Sequence, residues 1–212
     1  MGFFEVSHGA ARRARIRAKL PTGHPVALDV VDAAVDDLPD PEVLCAEERA
    51  GAMAKVALIN NRVQAYLTRV AAVSDERGDS RVLGAGTTGT LVAAATGSTV
   101  QAGSAVVATG RELRGFPELS EAFDAGRVSA QHVSVVLQTT QGLKQRGQVV
   151  AAAVALAAAT DARDTRHVLQ VVADAEGGED AQWSHAEQRA RRGVRLSARA
   201  SGMWRLSGLL DD

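Results

Sequence analysis

The sequence predicts a mainly α protein: a multi-helix bundle with one long helix over about 41–76, tandem helix-turn-helix-like units over about 87–140, and a short C-terminal β-hairpin over about 194–209. Three observations carry this. Hydrophobic residues make up 46% of the chain and aromatics only 3%, so the core is built from Ala, Val and Leu. Ala is the strongest helix former, and small side chains let helices approach closely. Capping residues and glycines punctuate the middle of the chain at helical spacing. From Val194 the apolar period changes to two.

The chain divides into a basic N-terminal arm (1–25), a helical domain (26–180) and a basic helix plus hairpin (181–212). In the arm, Arg12, Arg13, Arg15, Arg17 and Lys19 face only Glu5. A short amphipathic helix over Gly9–Leu20 is broken by Pro21, Gly23 and Pro25. Such an arm is either a phosphate-binding segment or a solvated, partly frayed terminus. Residues 26–48 reverse the sign with Asp29, Asp32, Asp36, Asp37, Asp40, Glu42, Glu47 and Glu48. No calcium-loop pattern accompanies them, and they read as a solvated acidic face.

The long helix starts at Pro41 with Asp40 as its cap and runs to Asp75. Met53, Val56, Asn60, Val63, Leu67 and Val70 recur at spacings of three and four. Ala52, Ile59, Tyr66 and Val73 widen that face, which suits a core helix of a bundle. Asn60 stands where a polar residue sets register in a helix pair, so the same face is also a candidate homodimer surface. Arg77–Ser80 reads as a loop.

The first helix-turn-helix-like unit pairs Thr88–Thr96 with Val100–Leu113. Gly97 ends one helix, and Ser98 or Thr99 caps the next. The second pairs Glu118–Ala125 with Ala130–Thr140, with Gly126 and Ser129 in the same roles. DNA-reading modules take this shape, and so do plain packed helical domains. A helix over Gln148–Ala159, almost wholly Ala and Val, reads as buried on most sides. Thr160 or Asp161 caps one more helix through Ala173, with Asp164 at its third position. The strands are Val194–Ala200 and Met203–Leu209, around Ser201-Gly202. An isolated hairpin is marginal in water, so it either packs on the helices or continues into something further along, and the close three residues after Leu209 reads more as a cut before a further domain.

Composition narrows function. A net charge of −1 gives no global attraction to nucleic acid, so any such binding rests on local patches. The single cysteine, Cys45, excludes an internal disulfide and a Cys-rich metal site, and reads as a small residue on a helix. No signal peptide is visible and the longest apolar run, Val149–Ala159, is too short to span a bilayer, so a soluble cytoplasmic protein without a membrane partner is expected. No nucleophile–base pair, phosphate loop or metal-ligand spacing stands out. Gly86–Thr90 is Gly-rich but lacks a following Gly-Lys-Ser/Thr, and a helix cap explains it. The expectation is therefore no enzyme, no cofactor, no metal and no small-molecule substrate.

Four segments resemble one family in combination. They are Val73-Ser74-Asp75-Glu76-Arg77-Gly78 at the end of the long helix, TTGTLVAAATGST, FDAGRVSAQHVSVV and the closing RLSARASGMWRLSGLLDD. Together the stretches Leu58–Leu143 and Arg191–Asp212 resemble the actinobacterial 13E12 repeat family, whose shared region is called domain of unknown function 222. The resemblance implies a helical region commonly followed by an HNH endonuclease motif, in which His and Asn or His residues hold a divalent metal. Here His8, His24, His132, His167 and His185 are scattered, so no catalytic residue carries over.

Similar sequences place Arg early in the second helix of the first unit, whereas this helix has only Gln101 and Ser104 there, with Arg111 and Arg114 at its end. Its Gly103 and Gly110, if exposed, cost roughly 1 kcal/mol each against Ala. Two functions follow. One is a non-catalytic, DNA-associated accessory module of a mobile or repeated element. Gln101, Ser104, Arg111, Arg114, Arg127 and Gln131 would make its contacts, and Arg189, Arg191, Arg192, Arg195 and Arg199 would serve phosphates. The other is a helical interaction or dimerisation scaffold using the face around Asn60.

Overall fold

The computed structural model describes residues 8–20, 23–176, 193–198 and 204–209, and they are mainly helical. Ten helices follow in order among them: α1 His8–Arg17, α2 Val26–Asp36, α3 Ala46–Arg77, α4 Asp79–Val82, α5 Thr88–Thr96, α6 Val100–Leu113, α7 Pro117–Asp124, α8 Ala130–Thr139, α9 Arg146–Ala159 and α10 Ala162–Glu176. Strands β1 (Gly193–Ala198) and β2 (Trp204–Leu209) pair antiparallel, with Leu196 opposite Leu206. No single described helix is long and apolar enough to cross a membrane.

The main core lies where α7, α8, α9 and α10 close on the end of α6. Phe123, 1% exposed, is its largest fully buried side chain, and Leu119, Val133, Val136, Val150 and Leu169 surround it. Two smaller clusters sit apart. Ala71 of α3 meets Val92 and Val107, and Ile16 of α1 meets Ala85 and Ala94. With so few aromatics, close helix approach replaces side-chain bulk. A Cβ on Gly110 would meet the Thr68 carbonyl oxygen at 2.5 Å and the Ala72 Cβ at 2.9 Å, so α6 seats directly on the α3 backbone.

The long helix differs from its sequence reading at both ends and on its buried face. Asp40 caps only a short 3-10 turn, Pro41–Val43, accepting from the Glu42 N–H at 2.9 Å. Leu44 is then extended, so a new cap is required, and Cys45 provides it. Its Sγ accepts from the Glu48 N–H while the Glu48 carboxylate accepts from the Cys45 N–H at 2.8 Å, a reciprocal capping box. The hydrogen bond from the Cys45 N–H is the chief cause that holds the Glu48 carboxyl below its ordinary value. Cys45 is therefore a cap rather than a residue within the helix. At the other end Gly78, at φ +70°, stops α3, and the short helix α4 begins at Asp79 within the expected loop.

The core reading of the Met53, Val56, Asn60, Val63, Leu67 and Val70 face is corrected. Met53 is 68% and Val56 51% exposed, Asn60, Val63 and Val70 are exposed, and Leu67 is half-buried. The residues α3 buries are Ala65, Thr68, Ala71 and Ala72. Small residues let α6 and α7 approach there, and the larger side chains are left outside. The α9 reading is corrected similarly: only Val150, Ala153 and Ala157 are buried, one stripe rather than most sides.

Candidate nucleic-acid interface

The first helix-turn-helix-like unit forms with its caps in place. The Thr87 hydroxyl accepts from the Thr90 N–H at 3.1 Å, and the Thr99 hydroxyl from the Ala102 N–H at 3.1 Å. Gly97 between them takes φ +71°, the left-handed conformation that glycine adopts without strain. The chain bends by 116° from α5 to α6, within the range of helix-turn-helix pairs. The Ser104 backbone lies against Gly89, whose added Cβ would stand 3.0 Å from the Ser104 N and Cα. Ser104 therefore belongs to the α5–α6 crossing while remaining exposed, and Gln101 is exposed at the start of α6.

The two arginines at the far end of α6 turn back to α3. Arg111 donates its Nε–H to Asp75 Oδ2 at 2.8 Å, and Arg114 pairs with Glu76. Chiefly through the Arg111 hydrogen bond, against a smaller opposing effect of burial, the Asp75 carboxyl is held below its ordinary value. These cations are already matched by carboxylates of the same chain, an arrangement that sequence spacing could not display. Phosphate would have to displace Asp75 and Glu76 to reach them.

The second unit is enclosed by its neighbours. Gly126 ends α7 at φ +76°, and a Cβ there would meet the Leu58 carbonyl oxygen at 2.8 Å. Asn61 donates to the Gly126 carbonyl oxygen at 3.1 Å. Ser129 caps α8 in a reciprocal box with His132. The His132 Nδ1 lies 2.7 Å from the Ser129 hydroxyl, and its Nε2 lies 3.0 Å from the Thr160 carbonyl oxygen. His132 thus ties the start of α8 to the α9–α10 connection, a role its isolated position in the sequence did not announce. Arg127 and Gln131 remain exposed on this unit.

The feature that sequence reading underrated is α1. Rather than a frayed terminus, it is a helix packed on α5 through Ile16. The Arg12 guanidinium donates to the Ala85 carbonyl oxygen at 3.2 Å. The Arg17 Nη1 stands 3.8 Å from where a Gly97 Cβ would be, over the α5–α6 turn. Arg15, Arg17 and Lys19 are exposed, Arg13 is half-buried, and none forms an ion pair among the described residues. Of the α1 cations, Arg17 thus stands beside the turn that leads into α6. Of the C-terminal candidates, Arg195 falls on β1 opposite Ser207, while Arg189, Arg191, Arg192 and Arg199 lie outside the described residues. Among the described residues no group of three or more His, Cys, Asp or Glu side chains is placed to hold a metal ion.

No curated protein and no solved structure matches the chain. A family model, that of a domain of unknown function (DUF222), matches residues 50–212 and so covers most of the chain, including α5–α6, α7–α8 and the hairpin. The chain belongs to the DUF222 family.

Proposed function

We propose that this chain is a non-catalytic, DNA-associated module that acts in the cytoplasm beside an HNH nuclease centre, as its sequence resemblance implies. The observation that carries the DNA contact is the packing of basic α1 on α5, with Arg17 over the turn that leads into α6. Phosphate affinity needs Lys or Arg, and base edges are read from the start of a recognition helix. Here the two requirements are met by different elements, the cations by α1 and the exposed Gln101 by α6. Arg111 and Arg114 are secondary, because Asp75 and Glu76 already neutralise them.

The test is a titration of fluorescently labelled duplex DNA with the full chain at several salt concentrations. Affinity that falls linearly on a log–log plot supports the reading. Negligible binding at low salt overturns it. A second reading, a protein-interaction scaffold, is favoured by the exposed face of α3. It does not compete for the same surface.

A further inference from the structure

Helix α2 buries none of its residues. Val26, Val30, Val31 and Val35 are exposed on it, although an eleven-residue helix is marginal in water without an apolar face to cover. Helix α3 likewise leaves Met53, Val56, Ile59 and Val63 exposed. Leu38, Pro41 and Leu44 lead from one helix to the other along an open apolar groove of about 750 Å³ that ends at Met53 and Val56. Exposed apolar residues thus run along both helices, the kind of contiguous apolar surface that marks an interaction site.

The charges around this surface are opposite and separate. Between Pro25 and Glu48 there is no Lys or Arg, and Asp29, Asp32 and Asp36 form one stripe along α2 at spacings of three and four. Between Arg49 and Ser74 there is no Asp or Glu, and Lys55, Arg62 and Arg69 recur every seven residues beside the apolar face of α3. Arg69 pairs with Asp124, whereas Lys55 and Arg62 form no ion pair among the described residues. An acidic apolar helix and a basic apolar helix therefore lie on one chain without covering each other.

We propose that a second copy of this chain covers them. Helix α2 of each copy lies along α3 of the other, and the two α3 faces meet near Asn60. The contact is isologous, so both acidic stripes and both basic stripes are matched at once. Asn60 suits the centre, since its amide both donates and accepts and can pair with its own copy. Met53 and Leu67 lie seven residues to either side, so two antiparallel α3 helices place like-sized side chains opposite each other.

Sedimentation velocity over a wide concentration range gives the first test. The proposal expects a species of twice 22.1 kDa at micromolar concentrations. A mass of 22.1 kDa throughout overturns it. The second test separates pairing between copies from folding of α2 onto its own α3. One variant carries Asp32→Lys with Asp36→Lys, the other Lys55→Glu with Arg62→Glu, and circular dichroism confirms that both stay helical. Each alone should dimerise at least about tenfold more weakly, because like charges then face each other. An equimolar mixture should regain the dimer, since both α2–α3 contacts of the mixed pair are again opposite in sign. A mixture that stays monomeric overturns the proposal.

Discussion

Gly103 of α6 faces Gly89 of α5 so closely that a Cβ on Gly103 would run into the Gly89 carbonyl oxygen and stand 3.0 Å from the Ala93 N. Backbone meets backbone at this crossing. Gly103→Ala should therefore destabilise the fold by about 1–3 kcal/mol, as overpacking does, although alanine is the better helix former by about 1 kcal/mol. Gly110→Ala should behave alike against Thr68 and Ala72. Gly147 on α9 has nothing within 4 Å of an added Cβ, so Gly147→Ala should be neutral or stabilising by up to about 1 kcal/mol. Urea unfolding of the three variants checks this, and a stabilised Gly103→Ala would contradict the close crossing.

The Asp75–Arg111 pair gives a pH dependence with a definite sign. The folded-state pKa of Asp75 lies below the ordinary 3.8. Its contribution is complete above the unfolded value and is lost as pH falls through the folded one. Asp75→Asn should therefore unfold more easily than the parent at pH 7, and the difference should shrink below about pH 4. The side chain of Arg111 is 60% exposed and that of Asp75 19%, so screening limits the effect to about 1 kcal/mol. Parallel unfolding curves at pH 7 and pH 3 measure it.

Removing charge from α1 should weaken DNA binding more than removing it from α6. Arg15→Gln with Arg17→Gln should reduce affinity severalfold and lower the salt slope by roughly 1–2. Arg111→Gln with Arg114→Gln should leave both nearly unchanged while lowering thermal stability slightly. The reverse ranking in a salt titration would move the interface to the C-terminal end of α6.

His132 bridges Ser129 and Thr160, elements distant in sequence. His132→Ala should cost about 1–2 kcal/mol, because the Thr160 carbonyl oxygen and the Ser129 cap both lose a partner. His132→Gln should recover part of this, since an amide can serve either contact. Thermal melts of the two variants check the order.

The middle of the chain was legible because its local signals act locally. Thr99 and Ser129 cap the helices they precede, and Gly97 and Gly126 adopt the left-handed turns their positions suggest. What was misread depends on neighbours. The apolar stripe of α3 has the spacing of a core face, but periodicity cannot distinguish a covered stripe from a bare one. The buried stripe is made of Ala and Thr, which carry little hydrophobic signal. Gly103 and Gly110 looked like weaknesses of α6 because helix propensity takes no account of a second helix pressed against the first. Arg111 and Arg114 looked available for phosphate because Asp75 and Glu76, more than thirty residues earlier, are not neighbours in sequence.

Helix α3 has 32 residues, about 48 Å of continuous hydrogen-bonded backbone, yet it is buried only from Ala65 onward. Its two halves should consequently open on different clocks. Amide exchange near the C-terminal half should approach the rate set by global unfolding, while amides around Met53 should exchange through local fraying. One element thus belongs to two cooperative units, and protection spreading toward residue 46 would report that its bare half had been covered.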